Sequence, residues 1–219
     1  MKKLLLAISF LLIGFSGSAA AGAILSAESA VINSGGSGFG SINDTFNQNG
    51  LNTGYVSGVD DFDAYVAGDP QHNYVFVGNE WFSDEGIGSA SVTYNLGFVS
   101  AIDSIAWWAE DASGVGMLDI FVSTNGVDFS AVSLGLAPTD NLINFDYGAD
   151  IFAFAAIDAQ FIRFDMSACP QNAGEFDSCA VGEVAFREAD ATGAPEASSI
   201  MLLGLGLFGL GFTRKNKVS

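Results

Sequence analysis

The chain has 219 residues, seven Lys and Arg against 25 Asp and Glu, and a formal net charge of −18. Lys2, Lys3, Arg214, Lys215 and Lys217 lie in the terminal segments, so the stretch between them keeps only Arg163 and Arg187 as bases. An acidic surface of this kind repels phosphate backbones and anionic lipid, which argues against nucleic-acid binding, and the abundance of apolar and aromatic residues argues against disorder.

Residues 1–21, MKKLLLAISFLLIGFSGSAAA, begin with two lysines, continue through an apolar run from Leu4 to Phe15 and close on small residues at Ala19 and Ala21. That order predicts a secretory signal peptide, too short and wrongly flanked for a lasting membrane helix. Residues 22–188 are then long enough for one domain with a real core and short for two.

Asn33 to Asn52 is rich in Gly, Ser and Asn and reads as loop; GGSGFGS at Gly35 to Ser41 lacks the lysine and the last glycine of a phosphate-binding loop. Short alternating runs follow. Val92, Tyr94 and Leu96 share one face of a strand, and Leu118, Ile120 and Val122 share one face of another. Further expected strands are His72–Gly78, Ile102–Ala109, Asp128–Leu134, Gln160–Met166 and Val181–Arg187. Asn125-Gly126 between two of them predicts a hairpin. Many short strands, frequent turns and no convincing amphipathic helix point to an all-β fold, a β-sandwich or jelly roll. In such a strand one of Trp107 and Trp108 is expected to face the core and the other outward.

Cys169 and Cys179, in an exported domain with nine residues between them, predict one disulfide. His72 is the only histidine, so a zinc site cannot be assembled from good ligands. Residues 189–194 read as a linker. The 17 uncharged residues Ala197 to Thr213 would reach about 26 Å as a helix, near the lower limit for a bilayer, with Arg214, Lys215 and Lys217 on the cytoplasmic side.

Pro195-Glu196, the span SSIMLLGLGLFGLGF and Arg214-Lys215 together resemble the PEP-CTERM sorting signal of Gram-negative bacteria, over residues 195–219. Ala197 stands where the family pattern has its second proline. The resemblance implies cleavage near Pro195 to Ala197 by an exosortase-type membrane protease, transient anchoring in the inner membrane, and release to the cell surface or medium.

The central domain resembles the galactose-binding-like, discoidin-related jelly roll. The residues that carry the likeness are SVTYNLG at Ser91 to Gly97, IAWWAED at Ile105 to Asp111, FVSTNGVDFSAV at Phe121 to Val132, FIRFDM at Phe161 to Met166 and GEVAF at Gly182 to Phe186. The family implies a ligand site for sugars or other surface ligands in loops at one end and, in many members, a structural calcium. Glu183 matches the family's acidic residue on the closing strand, and Asp44 loosely matches its early Asn/Asp loop.

Calcium takes six to eight oxygen ligands, so Asp44 with Glu183 is the candidate pair, and Asp60, Asp61 and Asp63 form a second acidic cluster. Trp81, beside Glu80 and Asp84, is the candidate aromatic platform for a sugar, with a packed loop aromatic as the alternative. No Gly-x-Ser-x-Gly elbow is present and a Ser-His-Asp set would have to use His72, so no catalytic residues are assigned. The expected function is to bind or organise extracellular polysaccharide or biofilm material. The alternatives are a structural exoprotein without a specific ligand and a secreted carbohydrate-active hydrolase.

Overall fold

The computed structural model describes residues 22–75, 78–171 and 175–190. The expected signal peptide, the sorting tail and residues 191–194 of the expected linker lie outside the described residues. Ala189 and Asp190 are still tied to the domain, Ala189 N donating to Ala101 O at 2.8 Å and Asp190 pairing with Arg187 at 3.3 Å.

Among the described residues, nine antiparallel strands are joined in the order β3-β4-β9-β5-β8-β6-β7, with β1 added on β9 and β2 on β5. They are β1 Ile24–Leu25, β2 Ser29–Ser34, β3 Phe39–Gly40, β4 Trp81–Phe82, β5 Ser89–Ala109, β6 Met117–Ser123, β7 Ser130–Leu136, β8 Asp150–Ser167 and β9 Ala180–Glu188. Two of these are long enough to serve in both layers of a sandwich. The first half of β5 pairs with β2 and the second half of β8; its second half pairs with β9 and the first half of β8.

The handover falls between Asn95 and Ser100, where the register shifts and Gly97 takes a φ of +83°. A glycine at a bulge lets one strand bend between layers without turning back. The sequence runs around Tyr94 and Trp107 therefore form one strand where two were expected. Rings from the two halves meet across the interior: Trp107 lies 5.1 Å from Phe164, and Phe164 stacks on Phe186 at 6.3 Å. The molecule is thus a β-sandwich whose core is filled by the buried alternate residues of β5, β6, β8 and β9.

Trp107 and Trp108 do point to opposite faces, but both are fully buried, which corrects the expectation that one faces outward. Trp108 belongs to a second apolar cluster with Ile24, Tyr55, Phe62, Ala106, Tyr147 and Ala185. The short helix α1, Phe62–Ala67, and the loops around it cover that outer face. Trp108 Nε1 donates to Pro70 O at 2.9 Å, so the indole gains a partner as it loses water.

The expected strand at His72–Gly78 is not formed over its described part. His72 makes isolated bridges to Leu51 and Tyr147, and Asn73 Oδ1 then accepts from Val75 N at 3.0 Å. That side-chain-to-backbone bond closes a turn in place of a ladder. The 33–52 region expected to be loop contains the end of β2, the pair Phe39–Gly40 of β3, and a short 3-10 helix at Ile42–Phe46 with a capping box from Ser41 and Asp44. The expected hairpin is present between β6 and β7, with Gly126 at φ +74°.

Candidate functional site

The strand registers bring acidic residues together at one end of the sandwich. Trp81 of β4 and Ala109 of β5 both pair with Val181 of β9, one from each side. Glu80 precedes Trp81 and Glu110 follows Ala109, so they flank the small residues Ala180 and Gly182. With Asp111 they form a buried group whose candidate ligand oxygens all lie within 4.8 Å of one another.

Each carboxylate is anchored. Glu110 accepts from Ala112 N at 2.7 Å, Ser113 N at 2.5 Å and Gly114 N at 3.4 Å. Asp111 Oδ2 accepts from Asn144 N at 2.6 Å, and Glu80 Oε1 accepts from Tyr147 Oη at 2.6 Å. Tyr147 reaches that position because Gly182 has no side chain; a Cβ there would overlap its hydroxyl.

Burial disfavours the charged carboxylates here. Desolvation raises Glu80 to about 8, with the nearby Glu110 adding to the shift. It raises Glu110 to about 8 as well, opposed by the backbone N–H groups, and it raises Asp111. His72 Nδ1 lies 3.5 Å from Glu80 Oε1 and 2.8 Å from Asn73 O, and burial lowers the imidazole to about 4. At neutral pH the contact joins a neutral imidazole to Glu80 and is not an ion pair. This group of acids could hold a metal ion.

The same loops shape a groove. Ala112 O accepts from Glu175 N at 2.5 Å and Phe176 N at 3.2 Å, and Ser113 Oγ donates to Phe176 O at 2.6 Å. Cys179, bonded to Cys169 with a Cα separation of 4.9 Å, fixes the other end of this segment in the core. The disulfide expected from the sequence is therefore present, and it closes the loop that carries Phe176 and Asp177. These residues, with Phe39, Phe82, Asp84 and Glu85, line a groove of about 600 Å³. Phe39 and Phe176 are 60% and 42% exposed, enough to present ring faces or edges to a ligand.

A second groove, of about 650 Å³, runs over the outer face of the sheet around Asn33, Ser91, Thr93, Phe129 and Arg163. Its polar groups are largely engaged with one another. Asn33 Nδ2 donates to Ser91 Oγ and Thr93 Oγ1, Ser91 Oγ donates to Asp165 Oδ1, and Arg163 pairs with Asp165 between the rings of Phe121 and Phe129. A ligand there would have to break those bonds, which favours the loop-end groove.

The sequence-derived candidates fall in different places. Trp81 is fully buried in the core and its Nε1 donates to Ser37 O at 3.1 Å, so it is a packed aromatic and not a platform open to a sugar. Its neighbours Phe39 and Phe82 take the groove position, and the cross-strand pair Phe39–Phe82 was hidden because β3 and β4 are two residues each. Glu183 is fully buried; its Oε2 accepts from Gln48 N at 3.1 Å and its Oε1 has no hydrogen-bond partner among the described residues. Burial raises Glu183 well above the ordinary carboxylate range, and the charge of Asp44 adds to the shift. Asp44 also accepts from Ser41 N and Asn47 Nδ2.

Asp60, Asp61 and Asp63 have structural tasks. Asp60 accepts from Val56 N, Asp61 caps α1 through Ala64 N, and Asp63 pairs with Arg187. The Glu80–Glu110–Asp111 group escaped sequence reasoning because 29 residues lie between its halves and only strand register unites them.

Several solved structures are similar to this one. The chitosan-binding module 1 of a Paenibacillus sp. IK-5 chitosanase/glucanase gives 17% identity and a TM-score of 0.46, covering 74% of this chain and 95% of that one. The CBM32-1 and CBM32-2 domains of Clostridium perfringens ZmpB give 17% identity and 0.48, covering 75% and 36%. The CBM32 of AlyQ, in complex with 4,5-unsaturated mannuronic acid, gives 15% identity and 0.45, covering 74% and 96%. No curated protein matches the chain. No helix among the described residues is long and apolar enough to cross a membrane. A family model does match the C-terminal segment, and by it residues 194–215 of this chain are a PEP-CTERM protein-sorting motif.

Proposed function

We propose that the protein is exported through its N-terminal signal, held briefly at the inner membrane by residues 195–219, and cut near Pro195-Glu196-Ala197 by an exosortase-type protease. The sandwich domain, residues 22–188, then binds or organises extracellular polysaccharide at the cell surface or in a biofilm. The observation that carries the binding role is the loop-end groove, where the exposed rings of Phe39 and Phe176 stand beside Asp84, Glu85, Glu175 and Asp177. Aromatic rings offer sugar C–H faces an apolar surface, and carboxylates accept hydrogen bonds from hydroxyl groups.

The described residues that line the groove include four carboxylates and no base, so it favours a neutral or amino-bearing saccharide over a uronate. A structural calcium between Asp44 and Glu183 fits this reading, because the buried Glu183 Oε1 has no other partner. That ion would join the 3-10 helix to β9 and supply the positive charge that Glu183 lacks. No catalytic role is assigned to any residue.

Affinity electrophoresis through gels containing chitosan, a neutral β-glucan or alginate tests the binding role. The full chain should be retarded by one of the first two, saturably, and not by alginate; Phe176→Ala should abolish the retardation. Migration unchanged in every gel would favour a structural exoprotein without a specific ligand, and release of reducing ends from the polymer would identify a hydrolase.

A further inference from the structure

We propose that Glu80, Glu110 and Asp111 form a second divalent-cation site, of calcium type, separate from Asp44 and Glu183. Glu80 enters from the start of β4, while Glu110 and Asp111 enter from the end of β5; the three are 0%, 2% and 6% exposed. After every hydrogen bond described above, two carboxylate oxygens in the group, Glu80 Oε2 and Asp111 Oδ1, remain buried without a hydrogen-bond partner among the described residues. The amide oxygen Gln171 Oε1, also buried without a hydrogen-bond partner among the described residues, lies against Gly114 in the loop that Glu110 organises.

Buried carboxylate oxygens cost free energy unless they are paired or bound to a cation. Among the described residues no arginine supplies the charge, because Arg187 is engaged by Asp63, Asp103 and Asp190, and Arg163 by Asp165. His72 gives its Nδ1 to Asn73 O, and its Nε2 faces Gly50, not the acids. The donors on offer are therefore all oxygen, which suits calcium better than zinc. Extracellular calcium modules bind at about 10⁻⁴ to 10⁻³ M, a range matched to an exported protein.

The site has a place in the architecture. Glu110 gathers Ala112, Ser113 and Gly114, and Ala112 and Ser113 hold Glu175 and Phe176. A cation locking Glu110 to Glu80 would thus fix the 110–114 loop against β4 and, through it, the wall of the groove. Any effect on saccharide affinity rests on the binding role proposed above; the cation site itself does not.

The test uses the full chain in mild detergent, stripped of metal with a chelator, as wild type, Glu183→Gln, and Glu80→Gln with Asp111→Asn. Bound calcium is counted by elemental mass spectrometry after equilibration in 5 mM calcium, alongside thermal unfolding with and without the ion. Glu183→Gln removes the other candidate site, so it should retain one calcium per chain and gain about 2–9 °C in Tm in 5 mM calcium, which is about 5 to 50 times that Kd. The double variant should lose that ion while keeping its β-type circular dichroism. Should the double variant fail to fold, terbium luminescence excited through tryptophan in Glu183→Gln decides, with calcium competing it away. Glu183→Gln that carries no calcium, shows no terbium signal and melts at the same temperature with and without calcium overturns the proposal.

Discussion

Replacing both cysteines, Cys169→Ala with Cys179→Ala, probes how far the groove depends on its covalent tie. The bridge spans a sequence separation of 10. Loop-closure entropy for about 11 residues corresponds to about 3 kcal/mol at 25 °C in the unfolded chain. A domain of this size loses about 2–4 °C in Tm per kcal/mol, so the double variant should melt about 6–12 °C lower. Alanine is the right replacement because Cys179 is fully buried and a serine hydroxyl would add its own desolvation cost. Thermal unfolding by circular dichroism reads the shift, and wild type treated with a reductant should converge on the variant. Saccharide affinity should fall in parallel, because Phe176 and Asp177 lie within the closed loop. A variant with an unchanged Tm would refute the idea that this loop is held by its bridge, and a lowered Tm with full affinity would separate the loop from the binding site.

Gly182→Ala should place a methyl against Tyr147 Oη and cost about 1–3 kcal/mol, read as a lower urea midpoint; an unchanged midpoint would mean that Tyr147 does not need its place over Glu80. Trp108→Ala should cost about 3–5 kcal/mol, because the indole is the centre of the cluster beneath α1 and not a surface ring; a loss under 1 kcal/mol would contradict that burial. In calcium-free protein, burial holds Glu80 and Glu110 protonated up to about 8, against 4.5 for the free side chain. Their contribution to stability is then complete below about pH 4.5 and is lost as pH rises through about 8. Urea midpoints of calcium-free protein should fall between pH 5 and pH 9, and calcium should restore the value at pH 9; a flat profile would contradict the shifts. Trp81→Phe should lower stability by about 1 kcal/mol through loss of the bond to Ser37 O and leave saccharide affinity intact, whereas a loss of affinity would return Trp81 to the binding site.

Period-two patterning made the sandwich legible wherever a strand has one wet face. β6 and β9 match their sequence runs closely because Leu118, Ile120 and Val122 alternate with half-exposed partners, and because β9 is a short apolar run that ends at a charged pair. The first half of β8, with Phe152 and Phe154 on one side and Ile151 and Ala153 on the other, shows no such contrast and went unread. The two-residue strands β1, β3 and β4 are too short to carry a period. The site was legible in part. The cysteines stood out by their spacing and compartment, and Glu183 only through the likeness of GEVAF to the family's closing strand. Trp81 misled because a tryptophan among acids resembles a binding loop, whereas pairing with Gly40 and Val181 draws it into the core. The Glu80–Glu110–Asp111 group depends on the register of β4, β9 and β5, a long-range property that local sequence does not encode.

The claim that joins the two ends of the chain to its middle is that this is an exported, sorted protein with one bridged extracellular domain. Intact mass spectrometry of the protein recovered from its host's medium and envelope tests it in a single spectrum. The expected species begins near Gly22, ends near Glu196 and is lighter by two hydrogens for the Cys169–Cys179 bond. A species that still carries Ser219 would contradict it, since the tail would then be a lasting anchor and not a sorting signal removed in transit.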